Sequence, residues 1–373
     1  MGVLFMKKLS FLLVLILGLG LLLAACGGGD DKKDSGNNDK AGEDATTEDN
    51  ADFKVGMVTD LGGVDDKSFN QSSWEGLKSF GEKNGLTEGE GYAYEQSNGK
   101  EDYIPNLTRL VRNDFDLVYG IGFELKADLE TIAKQNEDTH FGIVDDVIEL
   151  PNVVSITFKE HQGSFLVGVA AALKTKTNKL GFVGGIDSPL INKFEAGFIA
   201  GAKSVNPDIE VDVQYAESFG DAAKGKLIAT NMYDNGVDVI YHASGGTGNG
   251  VFNQAKDLKQ NDPDREIWVI GVDRDQHEEG KVGDTNVTLT SMIKRVDVAV
   301  EDVATMTMNG EFPGGELLEF GIEEDGIGYA TTNTEAMTEE IISTVDEWKG
   351  KILNGDVEAP STRDELKTFL ESL

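Results

Sequence analysis

The sequence predicts an α/β protein built as two doubly wound, parallel-sheet lobes with a cleft between them. Short β-branched runs alternate with amphipathic stretches from Phe53 onward, the pattern of strands joined by covering helices. The 373 residues suit two lobes at about 150 residues per domain. Two strand-to-turn segments, 153–162 and 287–296, break the alternation where a chain would cross from one lobe to the other. Crossings there, with a third placed at 318/319, make each lobe from separate segments, 53–158 plus 288–318 and 159–287 plus 319–373, around a cleft that closes by hinge motion.

Composition narrows the function. A formal net charge of −34 repels phosphate backbones, which argues against nucleic-acid partners. A single Cys forms neither an internal disulfide nor a multi-cysteine metal site. Hydrophobic residues at 39% and aromatics at 8% supply real cores and exclude global disorder.

Residues 1–25 read as an export signal, with Lys7 and Lys8 ahead of an apolar run over 11–23. That run is shorter than the roughly 20 residues a membrane-spanning helix needs, and no stop-transfer charge cluster follows it. Leu23-Ala24-Ala25-Cys26 matches the lipobox of bacterial lipoproteins, which places a cleavage before Cys26 and fatty acylation, palmitate included, on its sulfur. Diacylation supplies the two chains that stable anchoring needs. Residues 26–52, rich in Gly, Asp and Asn and without aromatics, then read as a flexible acidic tether.

Within the globular part, strands are expected at 53–58, 117–120, 141–144, 153–158, 180–183, 209–213, 237–241 and 267–272. Helices are expected at 103–112, 125–135, 163–173, 191–204 and 221–235, and Ser68 is placed to cap another that begins at Phe69. Ligands of such sheets sit beyond the carboxyl ends of the strands. Asp60 follows the first strand, ahead of Gly62 and Gly63, whose backbone can approach a ligand closely. Asp60 and Asn70 suit polar edges and Phe69 offers a ring face; alternatively the Asp-Gly run is a turn, Ser68 a cap and Phe69 core. Asp145 ends an apolar strand, as a cleft carboxylate or a helix cap. The run from Tyr241 to Gly250 leads from strand into helix, and its small residues suit a polar ligand or an anion. Asp273 ends the last strong strand, where a carboxylate accepts two sugar hydroxyls unless it pairs with Arg274. Lys294 follows the second crossing and either reaches the cleft or stays in solvent.

Several chemistries lack support. Glycines 246, 248 and 250 miss the dinucleotide G-x-G-x-x-G spacing. Gly220 to Lys226 spells G-x-x-x-x-G-K, but Leu227 stands where magnesium requires a hydroxyl, and the segment reads as helix. His140, His161, His242 and His277 show no metal-ligand spacing, no G-x-S-x-G elbow occurs, and acylation of Cys26 leaves no thiol. No cofactor, metal or enzymatic activity is expected.

Six segments together closely resemble the basic membrane protein family, the substrate-binding lipoproteins of bacterial ABC transporters whose best understood members bind purine nucleosides. They are 60–76, 152–178 (with Phe165-Leu166-Val167-Gly168 and Thr175-Lys176-Thr177-Asn178), Gly181-Phe182-Val183-Gly184-Gly185, Phe194-Glu195-Ala196-Gly197-Phe198, Gly245-Gly246-Thr247-Gly248 and Gly271-Val272-Asp273-Arg274-Asp275-Gln276. The likeness spans essentially the whole chain after the tether. It implies a type I periplasmic-binding-protein fold with three hinge strands and a base held between two aromatic rings. Phe69, in Ser68-Phe69-Asn70, would be the first ring and Tyr241 the second; His242 is adjacent, and a one-residue slip turns a strand side chain to the other face. Asp60, Asn70 and Asp145 would bond the base, Asp273 and Lys294 the ribose, with Ser68, Gly245, Gly246 and Thr247 also at the pocket. The implied protein is a monomeric, lipid-anchored receptor on the outer face of a Gram-positive cell membrane, which passes guanosine, inosine or adenosine to a permease. A receptor for a sugar or autoinducer is the alternative within the fold. A nucleoside-processing enzyme is the alternative outside it, hinted at only by Asp65 and Asp66 near Asp60.

Overall fold

The computed structural model describes residues 52–373. The expected signal sequence, Cys26 and nearly all of the tether lie outside the described residues. The chain opens with β1 (Val55–Val58), α1 (Phe69–Lys83), β2 (Tyr92–Glu95), α2 (Tyr103–Arg112) and β3 (Leu117–Ile121). Next come α3 (Lys126–Gln135), β4 (His140–Val144), β5 (Val153–Phe158), α4 (Glu160–Lys174) and β6 (Lys179–Gly184). They lead to α5 (Pro189–Val205), β7 (Glu210–Tyr215), α6 (Ala222–Asp234), β8 (Val239–Ala243), α7 (Gly248–Asn261) and β9 (Trp268–Asp273). A small hairpin of β10 (Lys281–Val282) and β11 (Thr285–Asn286) precedes β12 (Thr288–Lys294), α8 (Val296–Met308) and β13 (Leu317–Phe320). β14 (Ile327–Tyr329), α9 (Glu339–Leu353) and α10 (Arg363–Ser372) complete the chain.

Two six-stranded sheets result, ordered β13-β5-β4-β3-β1-β2 and β14-β12-β9-β8-β6-β7. Every pairing is parallel except that of β12 with the edge strand β14. β1, β3 and β8 are buried at every residue, as strands covered on both faces must be, and this makes them continuous apolar runs. β2 is a short edge strand, Tyr-Ala-Tyr-Glu, with part-exposed positions; it lacks that run, and its pattern did not announce it.

The chain passes between lobes three times: after β5, after β12 and after β13. The boundaries expected at 288 and 318 fall instead after Lys294 and Phe320, because β12 pairs with β9 and β13 with β5. Helix α8 then returns to pack on α1. The crossings run side by side, joined by Lys159 N–H to the Phe320 carbonyl (2.8 Å) and Arg295 N–H to the Gly326 carbonyl (2.9 Å). In the second lobe, α4 and α5 meet backbone to backbone at glycine. A Cβ on Gly197 would lie 2.2 Å from the His161 carbonyl oxygen.

Candidate functional site

The first-lobe wall is organised by Asp66. Its carboxylate accepts the N–H groups of Ser68 (2.8 Å), Asn70 (2.9 Å) and Gln71 (3.1 Å), so Asp66 caps α1 and Ser68 does not. The freed Ser68 hydroxyl reaches across the cleft and donates to the Asp273 carboxylate. The Asn70 amide donates to Asp60 Oδ1 (2.7 Å) and Asp66 Oδ2 (2.9 Å). Gly62 N–H adds a bond to Asp60 Oδ1 (2.7 Å), which leaves Oδ2 to face the gap beside Gly122 and Phe69.

The opposite side centres on Lys294, whose side chain is 1% exposed. Its Nζ lies 2.6 Å from both Asp145 carboxylate oxygens, 3.3 Å from Glu160 Oε1, and 5.0 Å from the ring centroids of Phe69 and Phe158. Burial alone would lower this ammonium, but the carboxylates of Asp145, Glu160 and Asp273 hold it above the usual lysine range. Burial pushes Asp60 up to about 7, against the opposing N–H donors of Gly62 and Asn70. Burial likewise pushes Asp273 up to about 7, with Lys294 and Ser68 pulling the other way. Lys294 is therefore a buried cleft group and not a surface lysine, and Asp273 bonds Ser68, with Arg274 turned to Glu75 (2.9 Å).

Between these walls lies a slot with about 480 Å³ of space unfilled by protein atoms, its mouth included. Phe69 and Phe123 line it from the first lobe, Phe194, Phe219 and Gly245 from the second. Phe123 and Phe219 meet edge to face across the gap at 6.1 Å. Gln276 donates to the Lys67 carbonyl (2.9 Å) and Asn249 to the Asp66 carbonyl (3.1 Å), so the lobes are clasped shut.

Of the residues singled out in the sequence, Asp60, Phe69, Asn70, Asp145, Gly245, Asp273 and Lys294 line this slot, and Ser68, itself buried, bonds Asp273 beside it. Tyr241 is not among them. It is fully buried, packs on Phe198 (5.1 Å) and Phe182 (5.7 Å), and its hydroxyl bonds Ser164 (3.2 Å). Tyr241 and Ala243 share one face of β8, but Tyr241 lies farther from the strand end, beneath Phe198 of α5, whereas Ala243, the last residue of the strand, lines the slot. His242 faces the other way and bonds Gln276 (2.9 Å). Thr247 lies behind the slot: its hydroxyl donates to the Ser218 carbonyl (2.8 Å) and accepts Asp221 N–H (2.9 Å), fixing the loop that carries Phe219. Gly246 abuts Asp66.

Asp66, Phe123, Phe194 and Phe219 were not singled out as site residues. Phe194 opens one of the segments that carry the family resemblance, and Phe123 lies just beyond the strand expected at 117–120. Phe219 sits beside the misleading G-x-x-x-x-G-K pattern, just after a half-exposed strand. Among the described residues no cluster of His, Cys, Asp and Glu has the arrangement of a metal site.

Residues 53–363 match the family described as ABC transporter substrate-binding protein PnrA-like. A Listeria innocua protein named CD4+ T-cell-stimulating antigen is 53% identical over 364 residues, covering 95% of this chain and 99% of that one. The ABC transporter nucleoside-binding protein BmpA of Lactococcus lactis is 46% identical, over 83% of this chain and 90% of its own. Basic membrane protein A of Borreliella burgdorferi is 33% identical, over 85% and 91%. Among solved structures, an ABC transporter solute-binding protein from Aeropyrum pernix superposes with a TM-score of 0.73 at 26% identity, covering 86% of this chain and 99% of that one. Its two parallel-sheet lobes, its clasped interlobe slot and these relatives agree: the chain belongs to the basic membrane protein family of ABC transporter substrate-binding proteins.

Proposed function

We propose that the solute is a purine nucleoside, held in the interlobe slot and delivered to the permease of an ABC importer. The observation that carries this reading is a slot lined by aromatic rings and carboxylates from both lobes. Phe69 and Phe219 are the two faces for the base, each half-buried with surface left for a ligand. Phe194, 3% exposed beneath Lys294, is floor. Asp60 Oδ2 and Asn70 meet the base edge, while Asp273, with Lys294 and Asp145 behind it, accepts ribose hydroxyls in place of Ser68. Two stacked faces contribute about 1–3 kcal/mol each, and micromolar binding needs about 8 kcal/mol in all. One ammonium among four carboxylates (Asp60, Asp66, Asp145 and Asp273) disfavours a phosphate, so a neutral nucleoside fits and a nucleotide does not. The Lactococcus lactis relative is itself named a nucleoside-binding protein.

Cys26 carries the lipid that keeps a monomeric receptor on the outer face of the membrane. Cells fed labelled palmitate should mark the wild-type protein and leave Cys26→Ser unmarked, and equal labelling of the two would count against the anchor.

A thermal-shift panel of nucleosides, free bases, nucleotides and sugars tests the ligand. At about 100 times Kd a ligand adds about 2.7 kcal/mol of stability, enough to raise Tm by several degrees. Inosine, guanosine or adenosine should do so. A panel in which a sugar raises Tm and all three leave it unmoved overturns the reading.

A further inference from the structure

Lys294 has a second carboxylate partner that lines no part of the slot. Glu160, the first residue of α4, has a fully buried side chain; its Oε1 lies 3.3 Å from Lys294 Nζ and its Oε2 3.0 Å from Lys193 Nζ. Lys193, on α5, also donates to the carbonyl of Phe158, the last residue of β5 before the first crossing (2.9 Å). Asp145, Lys294, Glu160 and Lys193 thus form a row of alternating charge that starts in the cleft and ends at the hinge, its first three members buried and Lys193 partly exposed. Its members divide between the lobes. Asp145 follows β4 in the first, whereas Lys294, Glu160 and Lys193 belong to β12, α4 and α5 of the second.

Glu160 and Lys294 each flank a crossing, and both crossings bond the third, through Lys159 to Phe320 and Arg295 to Gly326. Rotation about them parts Asp145 from Lys294 and leaves Glu160 beside it. An ammonium at that depth without a counter-charge would lose its proton or swing out to water. A carboxylate in the first turn of α4 would also favour the helix dipole from the surface, yet this one points inward between two ammonium groups. We propose that Glu160 is a positioning residue of the solute site: it holds the Lys294 ammonium on the second lobe, aimed into the cleft. Closure then brings Asp145 and the solute hydroxyls to a charge already in place. The solute's identity rests on the nucleoside reading; the lysine geometry does not.

Two measurements on the full chain test this. Labelling with acetic anhydride, read at Lys294 by peptide mass without ligand, should run several-fold faster in Glu160→Gln than in wild type. Lys174, held over the Trp268 ring, should label unchanged. Calorimetry with inosine should show Kd raised about tenfold or more in Glu160→Gln. Glu160→Asp, which keeps the charge one bond farther away, should move both readouts less and in the same direction. Lys193→Met, which disturbs the hinge contact and leaves Glu160 on Lys294, should stay within about threefold in Kd.

Wild-type labelling and affinity in Glu160→Gln overturn the proposal, as does Lys193→Met matching Glu160→Gln, the signature of hinge packing alone. Should Glu160→Gln fail to fold, unchanged Lys294 labelling in Glu160→Asp overturns it. A wild type that takes up no inosine sinks the nucleoside reading, and the labelling still decides the role of Glu160.

Discussion

Asp145 and Asp273 adopt the same left-handed backbone conformation, φ 70° and 68°, at the ends of β4 and β9. Those strands occupy the same third place in the two sheet orders, so the carboxylates are counterparts in the two lobes. Each such conformation costs about 1–3 kcal/mol for a residue with a Cβ. Both carboxylates line the slot that Lys294 also lines, Asp145 bonded to its ammonium and Asp273 to Ser68.

Asp273→Asn should weaken a ribonucleoside about tenfold or more, and a 2′,3′-dideoxynucleoside hardly at all relative to wild type. Calorimetry with the matched pair separates the two effects. Equal losses for both compounds would place the ribose elsewhere.

Phe69→Ala and Phe219→Ala should each remove about 1–3 kcal/mol of binding. Tyr241→Phe should leave affinity unchanged and lower stability by about 1 kcal/mol through loss of the Ser164 contact. Full affinity in Phe219→Ala together with a loss in Tyr241→Phe would reverse the assignment of the second ring.

Asp60 and Asp273 titrate near 7 in the folded chain, against about 3.9 for an unfolded Asp. Between those values the folded state binds more protons, so this contribution to stability is present in acid and lost as pH rises to about 7. Urea unfolding of the unliganded protein at pH 5 and pH 8 should therefore show a larger drop, or a smaller rise, than in the Asp60→Asn/Asp273→Asn double variant, which keeps the same-sign contribution of buried Asp66 and Asp145 and the opposite one of buried His161 and His242. An equal change in both proteins would show that these carboxylates are not the source.

Gly197→Ala would place a methyl 2.2 Å from the His161 carbonyl oxygen and force α4 from α5. A loss of about 1–3 kcal/mol is expected in the urea midpoint, with nucleoside affinity of the folded protein unchanged. An unaltered midpoint would mean that the helices yield at little cost.

Much of the fold was legible because buried parallel strands must be continuous apolar runs, so β3, β4, β5 and β8 stand out in the sequence. β2 and β13 did not, since a short edge strand needs only one covered face. The line of chemistry at strand ends was legible for the same reason: Asp60, Asp145 and Asp273 each follow an apolar run, where a crevice must lie.

What a strand residue meets is set by pairing and by what packs above it, and local composition is silent on both. Tyr241 therefore went to the core beside Phe198, while Phe219, on an inconspicuous loop pinned by Thr247, took a place in the slot. The sequence by itself determined the alternation of strand and helix, the acidic character and the carboxylates at the strand ends. Only the tertiary structure decided that Asp66 rather than Ser68 caps α1, that Ser68 bonds Asp273, and that Glu160 shares Lys294 with Asp145. These contacts join residues far apart in the chain, and their energies exist only once the two lobes have folded and closed on each other.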